Sequence, residues 1–99
     1  MSEADAAELE RLLQTIADRT RLRILNILIR ARGAPVCVCE FVPELELTQP
    51  TISYHLKQLR EAGLLERERR GAFSYYRVVP GVLERVQSLL AAPTLRDAS

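Results

Sequence analysis

Leu9, Leu12, Leu13 and Ile16 recur at the three- and four-residue spacing of one helix face, which predicts an amphipathic helix of about four turns near residues 5–17. Asp18 or Thr20 is placed to cap the next helix. In that helix Leu22, Ile24, Leu25, Ile27, Leu28 and Ile29 are too many for one stripe, so a central helix buried around much of its circumference is expected. Gly33 and Pro35 end it, and a short third helix is expected to start near Cys39 and run through Phe41, Val42 and Leu45, with Pro43 in its first turn.

Thr48 then stands as an N-cap before Gln49 and Pro50, and Ile52, Leu56 and Leu59 form the inward stripe of a helix that Gly63 stops. At about 100° per residue the opposite face carries Pro50, Tyr54, Lys57 and Glu61, flanked by Thr51, Ser53 and Gln58. Alternation over residues 64–69 and 73–79, joined across Arg70-Gly71-Ala72, predicts a β-hairpin with arginines at its tip. After Pro80-Gly81, the positions Val82, Leu83, Val86, Leu89 and Leu90 mark a last helix near residues 81–92, before Pro93 and a tail, 94–99, expected to fray. The order predicts a single mainly α domain over residues 1–99 with a small β-hairpin: a helix-turn-helix at about 38–62 followed by a wing at about 64–79.

Composition narrows this picture. Ninety-nine residues, 47% hydrophobic and 27% charged, fit one compact core and leave little room for a deep catalytic pocket. No apolar run approaches the roughly 18 residues of a membrane span, and the opening Met-Ser-Glu-Ala-Asp has no secretory pattern, so a cytoplasmic protein without a membrane partner is expected. There, Cys37 and Cys39 are expected to stay reduced and to serve ligand or redox chemistry rather than a structural disulfide.

The net charge of +1 conceals a strong asymmetry. Residues 1–17 carry Glu3, Asp5, Glu8 and Glu10 against Arg11, and residues 37–47 carry Glu40, Glu44 and Glu46 with no base. Over residues 48–77 the balance reverses, with Lys57, Arg60, Arg67, Arg69, Arg70 and Arg77 against Glu61, Glu66 and Glu68.

That basic segment has the division of labour of a recognition helix, whose N-terminal residues touch base edges in the major groove while nearby cations hold phosphates. Gln49 suits an adenine edge, Thr48, Thr51 and Ser53 suit bases or phosphates, and Tyr54 suits sugar or phosphate. Lys57 and Arg60 suit phosphate, and Arg69 and Arg70 at the turn suit the minor groove or the backbone. His55 lies about 60° from the apolar stripe, which favours a half-buried histidine holding the helix over a metal ligand, with a phosphate contact as the further option. Double-stranded operator DNA is the expected partner. The same fold also docks proteins, so an interaction module without DNA binding is the non-enzymatic alternative. A thiol oxidoreductase lacks its Cys-x-x-Cys spacing here, and hydrolysis lacks an evident acid partner for the one histidine.

These segments resemble the ArsR (ArsR/SmtB) family of metal-responsive repressors. Ala17-Asp18-Arg19-Thr20-Arg21-Leu22-Arg23-Ile24-Leu25 is similar to the family's A-D-x-T-R-L-x-I-L helix start, and Val36-Cys37-Val38-Cys39-Glu40 to its C-V-C-(D/E) metal box. Thr48-Gln49-Pro50-Thr51-Ile52-Ser53-Tyr54-His55-Leu56 resembles its recognition helix, and residues 59–65 and 71–77 resemble its helix exit and wing. The resemblance, over about residues 9–90, implies a homodimer joined by the first and last helices and repression relieved by an inducer.

Thiolate sulfur is soft, so Cys37 and Cys39 suit As(III) or Sb(III), and among metals Cd(II), Pb(II), Cu(I) or Zn(II). Arsenite or antimonite is the favoured inducer; no cofactor is expected to be needed for folding. Arsenic sensors of the family often place a third cysteine where Val42 stands, cadmium and lead sensors add cysteines ahead of the box, where residues 1–36 have none, and the last helix has Glu84 but no histidine for a zinc or nickel site. In a regular helix residues i and i+2 point about 200° apart, so both sulfurs meet one atom only where the backbone leaves the helix. Inducer binding is therefore expected to pull the pair together, distort the third helix and move the recognition helix. Thiol redox sensing is the alternative, with bonds between subunits or reversible caps favoured over a strained intrachain disulfide.

Overall fold

The structure is a computed structural model that describes residues 1–91; the tail 94–99, Pro93 and residue 92 of the last predicted helix lie outside them. The elements are α1 (Glu3–Ile16), α2 (Arg19–Arg30), β1 (Val36–Cys37), α3 (Val38–Leu45), α4 (Gln49–Glu61), β2 (Leu65–Arg70), β3 (Phe73–Val78) and α5 (Val82–Leu90). The three strands form one antiparallel sheet in the order β1-β3-β2. Among the described residues no helix is long and apolar enough to cross a membrane.

The local signals for helix ends act largely as expected. The Asp18 carboxylate, rather than Thr20, caps α2 by accepting the Arg21 N–H at 3.1 Å, and Ser2 does the same for α1 through the Asp5 N–H at 3.0 Å. At the end of α4, Leu64 N–H donates to the Leu59 carbonyl and Gly63 N–H to the Arg60 carbonyl, both at 3.0 Å. This is a Schellman closure, with Gly63 at φ +83° as its left-handed residue. The wing turns on Gly71-Ala72 between the paired Arg70 and Phe73, and only Gly71 of the two has positive φ, as a two-residue II′ hairpin requires.

The core joins α2, α3, α4 and the inner face of the wing. Ile24, Phe41, Ile52, Leu56, Leu59 and Leu64 are fully enclosed. α5 is tied to α1 by Arg85, whose Nε and Nη2 each donate to the Glu8 carboxylate at 3.1 Å. That pair holds the Glu8 carboxyl below its usual range and the arginine above its own. Leu13 of α1 and Leu83 and Leu90 of α5 remain exposed, leaving apolar surface without a cover in one chain.

Three expectations need correction. α2 is not buried around most of its circumference: Leu22 and Ile29, seven residues apart and so on one face, are about half exposed (52% and 49%). α3 begins at Val38, so Pro43 falls in its second turn rather than its first, where its missing N–H leaves the Cys39 carbonyl without a helical donor. Finally, the wing is a three-stranded sheet rather than a bare hairpin, because Val36 and Cys37 add a strand opposite Tyr76 and Tyr75. A two-residue strand has no period for a sequence to display.

Candidate nucleic-acid interface and cysteine elbow

α3 and α4 are joined by Glu46, Leu47 and Thr48, with Glu46 in the left-handed region at φ +56°. This tight turn presents the N-terminal half of α4 to solvent. Thr48 is the N-cap residue, yet its hydroxyl bonds the Thr51 hydroxyl at 3.0 Å instead of a backbone N–H. Gln49, Thr51, Ser53, Tyr54 and Lys57 are exposed, while Ile52, Leu56 and Leu59 lock the opposite face into the core.

Gln49, Ser53, Lys57 and Arg60 follow one another at four-, four- and three-residue steps, so they form a stripe along α4 facing the wing. Across a groove stand Arg67, Arg69, Ser74 and Tyr76. The strand period explains the set: Leu65, Arg67 and Arg69 share the face of β2 that begins in the core, and the register places Arg67 opposite Tyr76 and Arg69 opposite Ser74. The groove thus collects four cations, Lys57, Arg60, Arg67 and Arg69, and its lining includes no carboxylate among the described residues.

Arg70, expected alongside Arg69, lies on the other face. There its guanidinium donates to Glu68 at 3.0 Å and sits 4.6 Å from the centroid of the Tyr75 ring, while Arg77 pairs with Glu66. Arg70 holds the Glu68 carboxyl below its usual range, and Glu68 holds Arg70 above its own. Arg67 is the groove cation that the tip-of-hairpin reasoning missed; counting by two from the buried Leu65 would have found it. His55 is also turned from the surface: its side chain is 14% exposed and its Nδ1 accepts the Arg21 Nε–H at 3.2 Å. That placement agrees with a histidine holding the helix and removes it from the exposed set.

The cysteines occupy the elbow between β1 and α3. Cys37 is extended (φ −64°, ψ 139°) and serves as the N-cap of α3; Cys39 lies in the first turn. Because the first of the pair is not helical, the opposed directions expected of i and i+2 do not arise. Their Cα atoms are 5.2 Å apart and the sulfurs are joined in a disulfide, the intrachain pairing that the sequence ranks behind bonds between subunits. The sulfurs thus meet where the backbone leaves the helix, at the start of an otherwise regular α3. The Cys39 N–H points at Cys37 Sγ, 3.2 Å away, and the Glu40 carboxylate accepts the Cys37 N–H at 3.2 Å, completing a capping box. Cys37 is buried and Cys39 is exposed. Val38, between them, forms part of the groove wall beside Tyr76, the partner of Val36.

Comparison with known proteins agrees with this architecture. Residues 18–67 match the family described as bacterial regulatory protein, arsR family. The arsenic resistance transcriptional regulator ArsR1 of Pseudomonas putida is 49% identical over 76% of this chain, and the arsenical resistance operon repressor of Escherichia coli is 39% identical over 72%. The chain spans 57% and 59% of the lengths of these two relatives. Among solved structures, HlyU from Vibrio cholerae superimposes with a TM-score of 0.76 at 27% identity, covering 93% of this chain and all of that one. The homodimeric winged helix-turn-helix DNA-binding domain of Mb0332 from Mycobacterium bovis gives 0.68 at 25% identity, over 91% of this chain and 82% of that one. With half of its length matched by the family, from the cap of α2 through the helix-turn-helix to the start of β2, and a relative 49% identical over 76% of it, this chain belongs to the arsR family of bacterial regulatory proteins.

Proposed function

We propose that this protein is a homodimeric transcriptional repressor that binds operator DNA and lets it go when arsenite or antimonite bridges Cys37 and Cys39. The observation that carries the reading is the convergence of both sulfurs on the elbow that starts the helix-turn-helix, one residue from the wall of the cationic groove. The exposed leucines of α1 and α5 supply the dimer surface, as the homodimeric Mycobacterium bovis domain would lead one to expect. Gln49, Thr51 and Ser53 read bases in the major groove. Lys57, Arg60, Arg67 and Arg69 hold phosphates, and the exposed Tyr54 meets the backbone. A two-fold dimer calls for half-sites about one helical turn, ~34–36 Å, or a multiple of it apart.

The reduced elbow suits the inducer chemically. At the start of α3 the Cys39 N–H points at Cys37 Sγ, a backbone donor aimed at one of the two sulfurs that would bind arsenic. Arsenous acid exchanges two hydroxides for the two sulfurs, each thiol proton leaving with a hydroxide as water, and the third hydroxide stays on arsenic. Val42, half-buried and apolar, stands where a third thiol would be. The groove feels the change through Val38 on one side and the Val36–Tyr76 and Cys37–Tyr75 pairs on the other.

The disulfide favours a second reading, in which the same elbow is a thiol–disulfide switch operated by exchange with an oxidised low-molecular-weight disulfide. Fluorescence anisotropy of the reduced protein on its own upstream DNA, titrated with arsenite and separately with oxidised glutathione, distinguishes them. Release of the wild type by arsenite, but not of Cys37→Ser/Cys39→Ser, supports the first reading; release by oxidant alone supports the second. Absence of binding at low salt would instead support an interaction module.

A further inference from the structure

We infer that Arg21 and His55 form a positioning clamp that sets the rotation of α4 against the α1–α2 junction, so that the reading surface is registered to the helices of the dimer. The inference rests on the DNA-binding reading and concerns residues that do not themselves touch DNA. Arg21 is half-buried and uses its donors inward: Nε–H to His55 Nδ1 at 3.2 Å and Nη1–H to the Thr15 carbonyl at 3.1 Å. Its backbone N–H completes the Asp18 cap. Thr15 lies in the last turn of α1, where carbonyls have no helical partner, so one guanidinium joins the end of α1 to the middle of α4, its bond to His55 spanning 34 residues of sequence.

α4 needs such a device. Its apolar stripe of Ile52, Leu56 and Leu59 gains from burial whatever the fine angle, because hydrophobic burial is non-directional, whereas a hydrogen bond loses strength steeply off axis. The bond is made at the residue next to Tyr54, whose exposed ring packs edge-on to His55 with centroids 5.3 Å apart, so rotation at His55 is rotation of the reading face. A second tie from the same side supports this: Arg11 of α1 donates to the Ala62 carbonyl at 2.9 Å and holds the far end of α4. The imidazole accepts at Nδ1, so its proton sits on Nε2. Asp18 Oδ2, 3.9 Å from Nδ1, is the carboxylate facing the pair.

Two measurements on the full chain test the clamp. Without DNA, imidazole nitrogen NMR of His55 should show the Nε2–H form with an accepting Nδ1, and Arg21→Lys should shift that pattern; an unchanged spectrum overturns the clamp whether or not the protein binds DNA. With DNA, anisotropy on operator and scrambled duplexes should show Arg21→Lys and His55→Leu each losing about tenfold of operator affinity, non-additively when combined, with scrambled-DNA affinity retained. His55→Asn, whose Oδ1 can accept in place of Nδ1, should retain most of the affinity. Rescue by lysine at position 21 together with failure of asparagine at 55 would make Arg21 a phosphate ligand and sink the proposal. If the wild type binds neither duplex, the functional reading fails, and the NMR pattern alone decides the clamp.

Discussion

Replacing Arg67 and Arg69 together by alanine removes two of the four cations that line the groove between α4 and the wing, while Arg70→Ala removes one that is already engaged by Glu68 and Tyr75 on the opposite face. The consequence is a change in salt dependence that can be worked out beforehand. Each phosphate contact adds about 0.9 to the slope of log affinity against log salt, so a dimer presenting roughly eight groove cations has a slope near −7. Losing four of them halves it to about −4. Between about 50 and 200 mM salt the wild type then weakens roughly ten-thousand-fold and the double variant only about a hundredfold. Lys57 is treated as available, since its 3.9 Å pair with Glu61 joins two exposed groups and is worth little. Anisotropy on one operator duplex over that salt range reads both slopes, and Arg70→Ala should stay within about half a unit of wild type. If Arg70→Ala flattens the slope while Arg67→Ala/Arg69→Ala does not, the wing meets DNA by its other face and the assignment of the groove is wrong.

Two further outcomes concern the frame that holds this surface. Asp18→Ala should cost about 1 kcal/mol through loss of the α2 cap, read as a lower urea midpoint at unchanged slope and fixed protein concentration. The Arg21 N–H, and beyond it the Arg21 charge, hold the Asp18 carboxyl below the usual aspartate value; its charged-state contribution is therefore complete above about pH 4 and lost as the pH falls through the lowered value. The margin of wild type over Asp18→Asn should accordingly shrink on acidification, and a constant margin would contradict it. Gly63→Ala meets no atom within 4 Å of the added Cβ but forces φ +83° on an L side chain, so a loss of about 1 kcal/mol should appear in the same unfolding experiment. A neutral result would mean that the end of α4 had relaxed away from its Schellman closure.

Much of this could be read before any coordinates. The 3.6-residue recurrence of leucine and isoleucine marks four of the five helices, Asp18 and Gly63 mark two of their ends, and alternation around Gly71 marks the wing, since each signal lies within a few residues of chain. The exceptions are instructive. Leu22 and Ile29 belong by composition to a buried helix, yet α2 lacks a neighbour on that side within one chain. Pro43 at the first turn is a reasonable inference from sequence, but the capping box of Cys37 and Glu40 starts α3 earlier and carries the proline inward.

The sequence by itself therefore determined the order of helices, the helix-turn-helix with its wing, the exposed polar start of α4 and the presence of a two-thiol box, because periodicity, capping and turn chemistry are local properties. Only the tertiary structure decided how those pieces face one another. Packing of the wing beside α4 sets Arg67 and Arg69 across a groove from Lys57 and Arg60, and the β1–β3 pairing makes an elbow where Cys37 and Cys39 meet. Packing of α4 beneath the α1–α2 junction brings Arg21 to His55. These are contacts between segments distant in the chain, chosen by which faces can be buried together, and no local pattern contains that choice.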